Sequence, residues 1–588
     1  MRSISQCIPT LFITLMLSGF ASAMTVTLTP SLPAPVSVGT TVTWTASVTD
    51  VTNGTVWYRF RARHSGQTYQ VIRDFSPLPT LDWTATDHEG WFEIEVSAKN
   101  EDTGDTATVS AMYDITSRIS GNQPSVNPTS HPLVFLYSAP PCDRDSRMQV
   151  EFVAPNGTAV RTPFKTCDPQ FSMNFYLMGL YAQTNYTAHH IIEGRRDLIG
   201  PDLAFTTGSL PDNLFAETVV QAPTKQISNH VLLGSTLGIA VATDLNGAVI
   251  WYGPSDITYI TRPDGDGNFW GLLVASADDP SNQAIRKFDA TGETLLETNA
   301  ARVNEQLLAL GRRQITGFHH EVRTLPSGRI AALADVEQIL TDVQGPGPID
   351  VIGDMVIVFD SQLNVVWTWD TFDHLDVTRK AVLGETCRAT LSCAPYNLAA
   401  DANDWTHGNS IAQIPDGNLL YSSRHQDWLI KINYDNGAGD GHVIWRLGKD
   451  GDFEIQSSDP YPWFSHQHDA NFETGDPSEL TVFDDGNTRV FTLGSGNSRG
   501  QVLQLDERKR VASFTLNADL GVYSVALGSA QKLRDGDYFF DAGFVLGPNN
   551  TGGAFSIEVD PSGKIVSEIG ANALLYRSFR MTSLYTPD

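Results

Sequence analysis

Histidine recurs at four places in the C-terminal half of this sequence, each time among apolar residues and beside a second polar group. These are His319 and His320 in "GFHHEV", His407 and Asn409 in "DWTHGNSI", Arg424 and His425 in "SSRHQDW", and His466 and His468 in "WFSHQHDANF". An imidazole can donate, accept or attack near neutral pH. A guanidinium offers a planar fork of donors that pairs with two oxygens of one anion. Such a set suits a multiply oxygenated anion. One imidazole attacks its central atom and splits a hard transfer into two easier ones, while the others hold developing charge and protonate the leaving oxygen. Three histidines could also ligate a metal. Arg424 in the same cluster would repel a dication, so no metal is expected, and no serine nucleophile is expected either.

Such a set needs strands to assemble it. Around the Pro415-Asp416-Gly417 turn the chain reads as two strands, with His407 and Arg424 at 9 and 7 positions from the turn. They should therefore meet at the open end of a hairpin. From about residue 215 one design recurs six times: an apolar strand, a terminal Asp or Asn, a short turn, and a second apolar strand. The turn-entry residues are Asp244, Asp289, Asp360, Asn433, Asp506 and Asp560, spaced 45 to 73 residues apart. Glycine turns, "RPDGDG", "LPSGR", "IPDGN", "FDDGN" and "LRDGD", precede five of these units. Each unit reads as a four-stranded meander, and six meanders predict a six-bladed β-propeller over residues 211–588. Its innermost strands would line a channel, and histidines at matching places before three glycine turns would gather at one mouth.

Two further units are predicted upstream. Residues 24–120 alternate polar and apolar types in strand fashion, with turns at Asn53-Gly54 and Glu89-Gly90, and read as an immunoglobulin-like β-sandwich. Residues 125–210 repeat the style and read as a fibronectin III-like sandwich, joined through a polar linker, "SRISGNQPSVNPTS". His189 and His190 there read as ordinary strand residues. Residues 1–23 place one arginine before an apolar run and end in Ala-Ser-Ala, the pattern of a secretory signal peptide, so a periplasmic or secreted protein is expected. No later segment offers the roughly 18 apolar residues of a membrane span. Loss of Cys7 with the signal leaves four cysteines, and local pairing predicts Cys142–Cys167 and Cys387–Cys393 disulfides. The net charge of −28 repels nucleic acid and anionic lipid.

The stretches "DWTHGNSI", "SSRHQDWLIKI", "VIWRLG", "QHDANF", "TVFDDGNTR" and "YRSFRMTSLY" resemble, in order, the bacterial PAPS-independent arylsulfate sulfotransferases. The resemblance covers residues 215–588 and is strongest over 404–500. It implies a six-bladed propeller that moves a sulfuryl group from an aryl sulfate to a phenol, by a ping-pong mechanism through a sulfohistidine, without a cofactor. Carried over by motif, the nucleophile falls on His468, an anion-binding histidine on His407 with Asn409 as its partner, the sulfate-clamping arginine on Arg424, and the early-blade histidine on His320, with His319 competing. His425 and His466 carry no family role and read as supporting residues. The chain departs from the family in its extra N-terminal sandwich, in the position of the Cys387–Cys393 loop before His407, and in a loose match at His320.

Two other functions fit the same residues: a sulfatase-like hydrolase with water as acceptor, and a non-enzymatic extracellular propeller that binds an anion or glycan. The N-terminal units carry no catalytic signal and are candidates for homodimer contacts or wall attachment.

Overall fold

A computed structural model describes residues 24–49, 51, 54–195, 197–223, 231–274, 279–388, 398–472, 476–547 and 551–587. The expected signal peptide and Cys393, and with it the Cys387–Cys393 pairing, lie outside these residues. The protein is all-β, with short α-helices at Ala300–Ala309, Thr371–His374 and Asn487–Leu493 among the described residues. None of its described helices is long and apolar enough to cross a membrane.

The first unit consists of a three-stranded sheet and a larger one around a shared core of Trp44, Phe60, Ile94 and Val96. Val42–Thr49 shows why: Val42, Trp44 and Ala46 are buried in alternation with more exposed threonines, the period of a strand with one face in the core. The second unit packs two sheets around Tyr137, Phe152, Phe175 and Leu177 and contains the Cys142–Cys167 disulfide. The expected linker is in part a strand, because Ser125–Pro128 pairs with Phe135–Ala139.

Six mostly antiparallel sheets follow. Their leading strands are Tyr259–Gly265, Gly317–Thr324, Gly408–Gln413, His468–Phe472, Gly528–Lys532 and Leu575–Ser583. All six repeated hairpins of the sequence form. The recurrent aspartate is explained by its side chain. Asp244 Oδ1 accepts from the backbone N–H of Asn246 and Ala248, both at 2.9 Å. Asp360 does the same with Gln362 and Asn364, and Asp560 with Ser562 and Lys564. A carboxylate two residues before the bend thus replaces missing ladder bonds and fixes the turn. The "FDDGN" stretch differs from expectation. It does not join two strands: it ends Glu479–Asp484 and opens the helix Asn487–Leu493, with Gly486 as its cap at φ +79°. A glycine that can adopt positive φ serves either purpose, so the motif alone did not distinguish them.

Among the described residues, four of the five steps between neighbouring leading strands carry a hydrogen bond. Thr261 Oγ1 donates to Val322 O at 2.7 Å, Arg323 Nη1 to Ile411 O at 3.2 Å, Asn409 Nδ2 to Gln467 O at 2.7 Å, and Ser529 Oγ to Ser578 O at 2.6 Å. Arg577 Nη1 returns to Thr261 O at 3.0 Å, which links the last leading strand to the first. The sixth sheet is assembled from both ends of the region, with Leu575–Ser583 paired to Val231–Thr236. The N-terminal units are fastened to this assembly. Gln70–Ser76 lies parallel to Thr294–Asn299, where Arg73 and Arg286 share buried Glu297, and Tyr585 Oη accepts from Met178 N at 3.1 Å.

Candidate active site

The leading strands of the second, third and fourth sheets each carry a bulge, at His319/Val322, Gly408/Ser410 and His468/Asn471. Beside these bulges His320, His407 and Asp469 hold φ of +54°, +46° and +48°. Left-handed backbone at such residues costs about 1–3 kcal/mol each, and bulges re-aim side chains, so one strained device is repeated on three consecutive sheets. It brings the predicted residues together. The rings of His320 and His407 are 4.8 Å apart, His407 stacks on His425 at 4.4 Å, and His425 lies 5.6 Å from His466. Arg424 N donates to His407 O at 3.3 Å, as the hairpin geometry requires.

The ring nitrogens divide the histidines into two groups. His468 Nδ1 meets Asp485 Oδ2 at 2.6 Å, His407 Nδ1 meets Asp404 Oδ2 at 2.7 Å, and His320 Nδ1 meets His319 Nδ1 at 2.8 Å. The Nε2 of each of these three carries no hydrogen bond among the described residues. The others face a protein group at both nitrogens, by hydrogen bond or by close approach to a carboxylate. His425 joins Asp404 O at 2.8 Å and Arg424 Nη1 at 2.6 Å. His466 joins Glu385 and, at 2.9 Å, Asp427. His319 has His320 on one side and Asp354 Oδ1, 3.0 Å away, on the other. An ionised Asp485 can only accept from a neutral imidazole, which places the His468 proton on Nδ1 and leaves a lone pair on Nε2.

Electrostatics keeps the His468 and His320 imidazoles neutral, while burial opposes ionisation of Asp485. Burial, and after it the charge of Arg424, holds the His468 imidazole well below its usual pKa, so it is neutral at physiological pH. Burial and the neighbouring His407 do the same to His320. Burial opposes protonation of His319, but Asp335 and Asp354 overcome it and raise its pKa to about 9. Asp485 is pushed up by burial, against Arg424 and His466.

Several residues of the site escaped the sequence reading. Arg577 is fully buried and donates to Thr261 O, Glu321 Oε2 and, at 2.7 Å, Asn409 O, spanning three sheets. Its charge helps depress both His320 and His468. Tyr576 Oη donates to His320 O at 2.5 Å and Tyr259 Oη accepts from His320 N at 2.8 Å, clamping the strained residue. Arg262 bridges Glu321 and Asp469. Asn409, read as a partner of the anion, uses its amide to hold Gln467 O, one residue before His468. Arg577 and Tyr576 lie inside the quoted "YRSFRMTSLY", the only signal that could have found them. Gly496-Asn497-Ser498-Arg499-Gly500 also has the spacing of a serine nucleophile, but Ser498 Oγ donates to Asp485 O at 3.0 Å and no imidazole bonds it. His190 is a buried strand residue paired with Tyr137 at 2.8 Å, and His189 bonds Asp202.

A family described as Arylsulfotransferase (ASST) matches residues 215–580, which contain every one of the six sheets' leading strands in whole or in part. This protein belongs to the arylsulfotransferase family. The arylsulfotransferase match begins just before the strand Glu217–Gln221 and leaves the two N-terminal units outside it. No curated protein matches the chain. The arylsulfotransferase region is where all the strained histidines lie.

Proposed function

We propose that the protein transfers a sulfuryl group from an aryl sulfate to a phenol by a ping-pong route through sulfated His468, on a six-bladed propeller whose blades are the six sheets. The observation that carries this reading is the Asp485–His468 pair, a buried neutral imidazole with its proton fixed on Nδ1 and Nε2 unbonded. Nε2 attacks sulfur and forms an N–S bond as the S–O bond to the aryl group breaks. Arg424 and the Nε2–H of His320 hold the sulfuryl oxygens, where charge develops. His407, backed by Asp404 and about one-third exposed, takes a proton from solvent at Nε2 and passes it to the departing phenolate oxygen. A phenol then gives its proton to His407, and its oxygen takes the sulfuryl group from His468. Arg577 and Asn409 act as struts that hold the leading strands in register.

The stretch 1–23 supports export, and the Cys142–Cys167 bond is consistent with an oxidising compartment. The test is to expose the protein to p-nitrophenyl sulfate without acceptor, quench it and map it by mass spectrometry. The peptide containing His468 should gain one SO3 group and lose it when a phenol is added. Product release at an unchanged rate without acceptor, with no adduct, would favour a hydrolase.

A further inference from the structure

Behind His320, at its Nδ1, lies a cluster that the transfer chemistry does not use. We propose that His319, Asp335 and Asp354 bind one divalent transition-metal ion of the Mn2+ or Zn2+ class. Asp335 and Asp354 are direct cross-strand partners in the antiparallel ladder of the second sheet, and Gly317, two residues from His319, pairs with Asp335 on its other side. All three side chains are buried, at 6%, 6% and 1% exposure for His319, Asp335 and Asp354. Two like charges set opposite each other in a buried ladder repel unless something lies between them. No arginine or lysine pairs with either carboxylate among the described residues; their ion-pair partner is His319.

The spacing fits a shared ion. His319 Nε2 is 3.0 Å from Asp354 Oδ1 and 3.4 Å from Asp335 Oδ1. Two ligand atoms each about 2.1 Å from one ion stand roughly 3.0 Å apart at a right angle and about 3.4 Å apart at a tetrahedral angle. His319 Nε2, Asp354 Oδ1 and Asp335 Oδ2 have no hydrogen-bond partner. The remaining oxygen of Asp354 is fixed by Thr406, Gly408 N and Tyr421, which aims Oδ1 at the cluster. A dication matches the two carboxylate charges. The competing occupant is a pair of protons, one on His319 and one on Asp335, and it leaves Asp335 Oδ2 unpaired. One imidazole with two carboxylates suits Mn2+ or Zn2+, whereas Ca2+ takes six to eight oxygens. Arg424, whose charge argued against a metal, is bonded to His425 and Val525 O instead. An ion on Nε2 would also put the His319 proton on Nδ1, where His320 Nδ1 accepts it, so that the His320 proton points from Nε2 toward the other imidazoles.

The full-length protein, passed through chelating resin, should retain about one equivalent of metal per chain by elemental mass spectrometry. Stripping with a strong chelator should lower its melting temperature, and added Mn2+ or Zn2+ should restore it. Asp335→Asn, with an unchanged circular dichroism spectrum, should lose the metal, whereas Glu385→Gln, in the separate cluster with His425 and His466, should keep it. If Asp335→Asn does not fold, Mn2+-loaded wild type gives a second readout: its electron–nuclear double resonance should show one imidazole nitrogen. Metal-free wild type whose melting is unmoved by either ion would overturn the site, as would metal kept by folded Asp335→Asn or a Mn2+ signal without nitrogen coupling. None of these readouts depends on sulfuryl transfer.

Discussion

On the second sheet His319 precedes His320 directly, and on the fourth His466 stands two residues before His468. Both places have a residue at φ +54°, His320 and His466, and a bulge that turns one imidazole inward. The backing differs. His468 rests on a carboxylate, Asp485, while His320 rests on another imidazole, which itself faces Asp335 and Asp354. A carboxylate behind Nδ1 frees a lone pair at Nε2, whereas an imidazole donating to Nδ1 leaves a proton there. The two inward rings are the same side chain, and the partner behind each decides whether its Nε2 carries a lone pair or a proton.

The largest effect that can break this comparison is loss of the proposed nucleophile. His468→Asn should lower kcat/KM for p-nitrophenyl sulfate by about 10⁴-fold or more and abolish the histidine adduct. His320→Asn should cost about 10²–10³-fold and keep the adduct, since it removes a donor. Equal losses, or an adduct in His468→Asn, would mean that the assignment of roles is wrong. Asp485→Asn should cost about 10- to 100-fold, because an amide no longer forces the proton onto Nδ1.

A fourth expectation concerns stability against pH. The folded pKa of His468 lies well below the unfolded value of about 6.5, so below that pH the unfolded chain binds a proton that the folded one does not. Its contribution is complete above pH 6.5 and is lost as the pH falls. Between pH 7 and 5 the denaturant-derived stability of the wild type should therefore drop by about 2 kcal/mol more than that of His468→Asn. Equal slopes would mean that His468 is charged in the folded state. The smallest catalytic effect is expected for His466→Gln. Both its nitrogens face carboxylates, so the change should lower stability by about 1–3 kcal/mol, while kcat/KM falls by less than about tenfold.

How much was legible in the sequence follows from the range of the interactions. The aspartate that opens five of the six hairpins bonds backbone two to four residues away, so the repeat could be read in order. The His407–Arg424 meeting was legible because one turn lies between them. The "FDDGN" helix start was misread because glycine-rich turns end strands and open helices alike. Arg577 was out of reach, since its partner Thr261 is 316 residues away. The same holds for the choice between His319 and His320, which adjacent positions in a strand cannot resolve when a bulge breaks the alternation.

The amino-acid sequence by itself determined an all-β chain, its repeated hairpins and the residue types that gather for anion chemistry, because strand period and aspartate-capped turns are local. Only the tertiary structure decided which imidazoles keep a free nitrogen, which group backs each one, and that Arg577 ties the last leading strand to the first. Those outcomes depend on groups far apart in the chain, and burial among them sets where each proton resides.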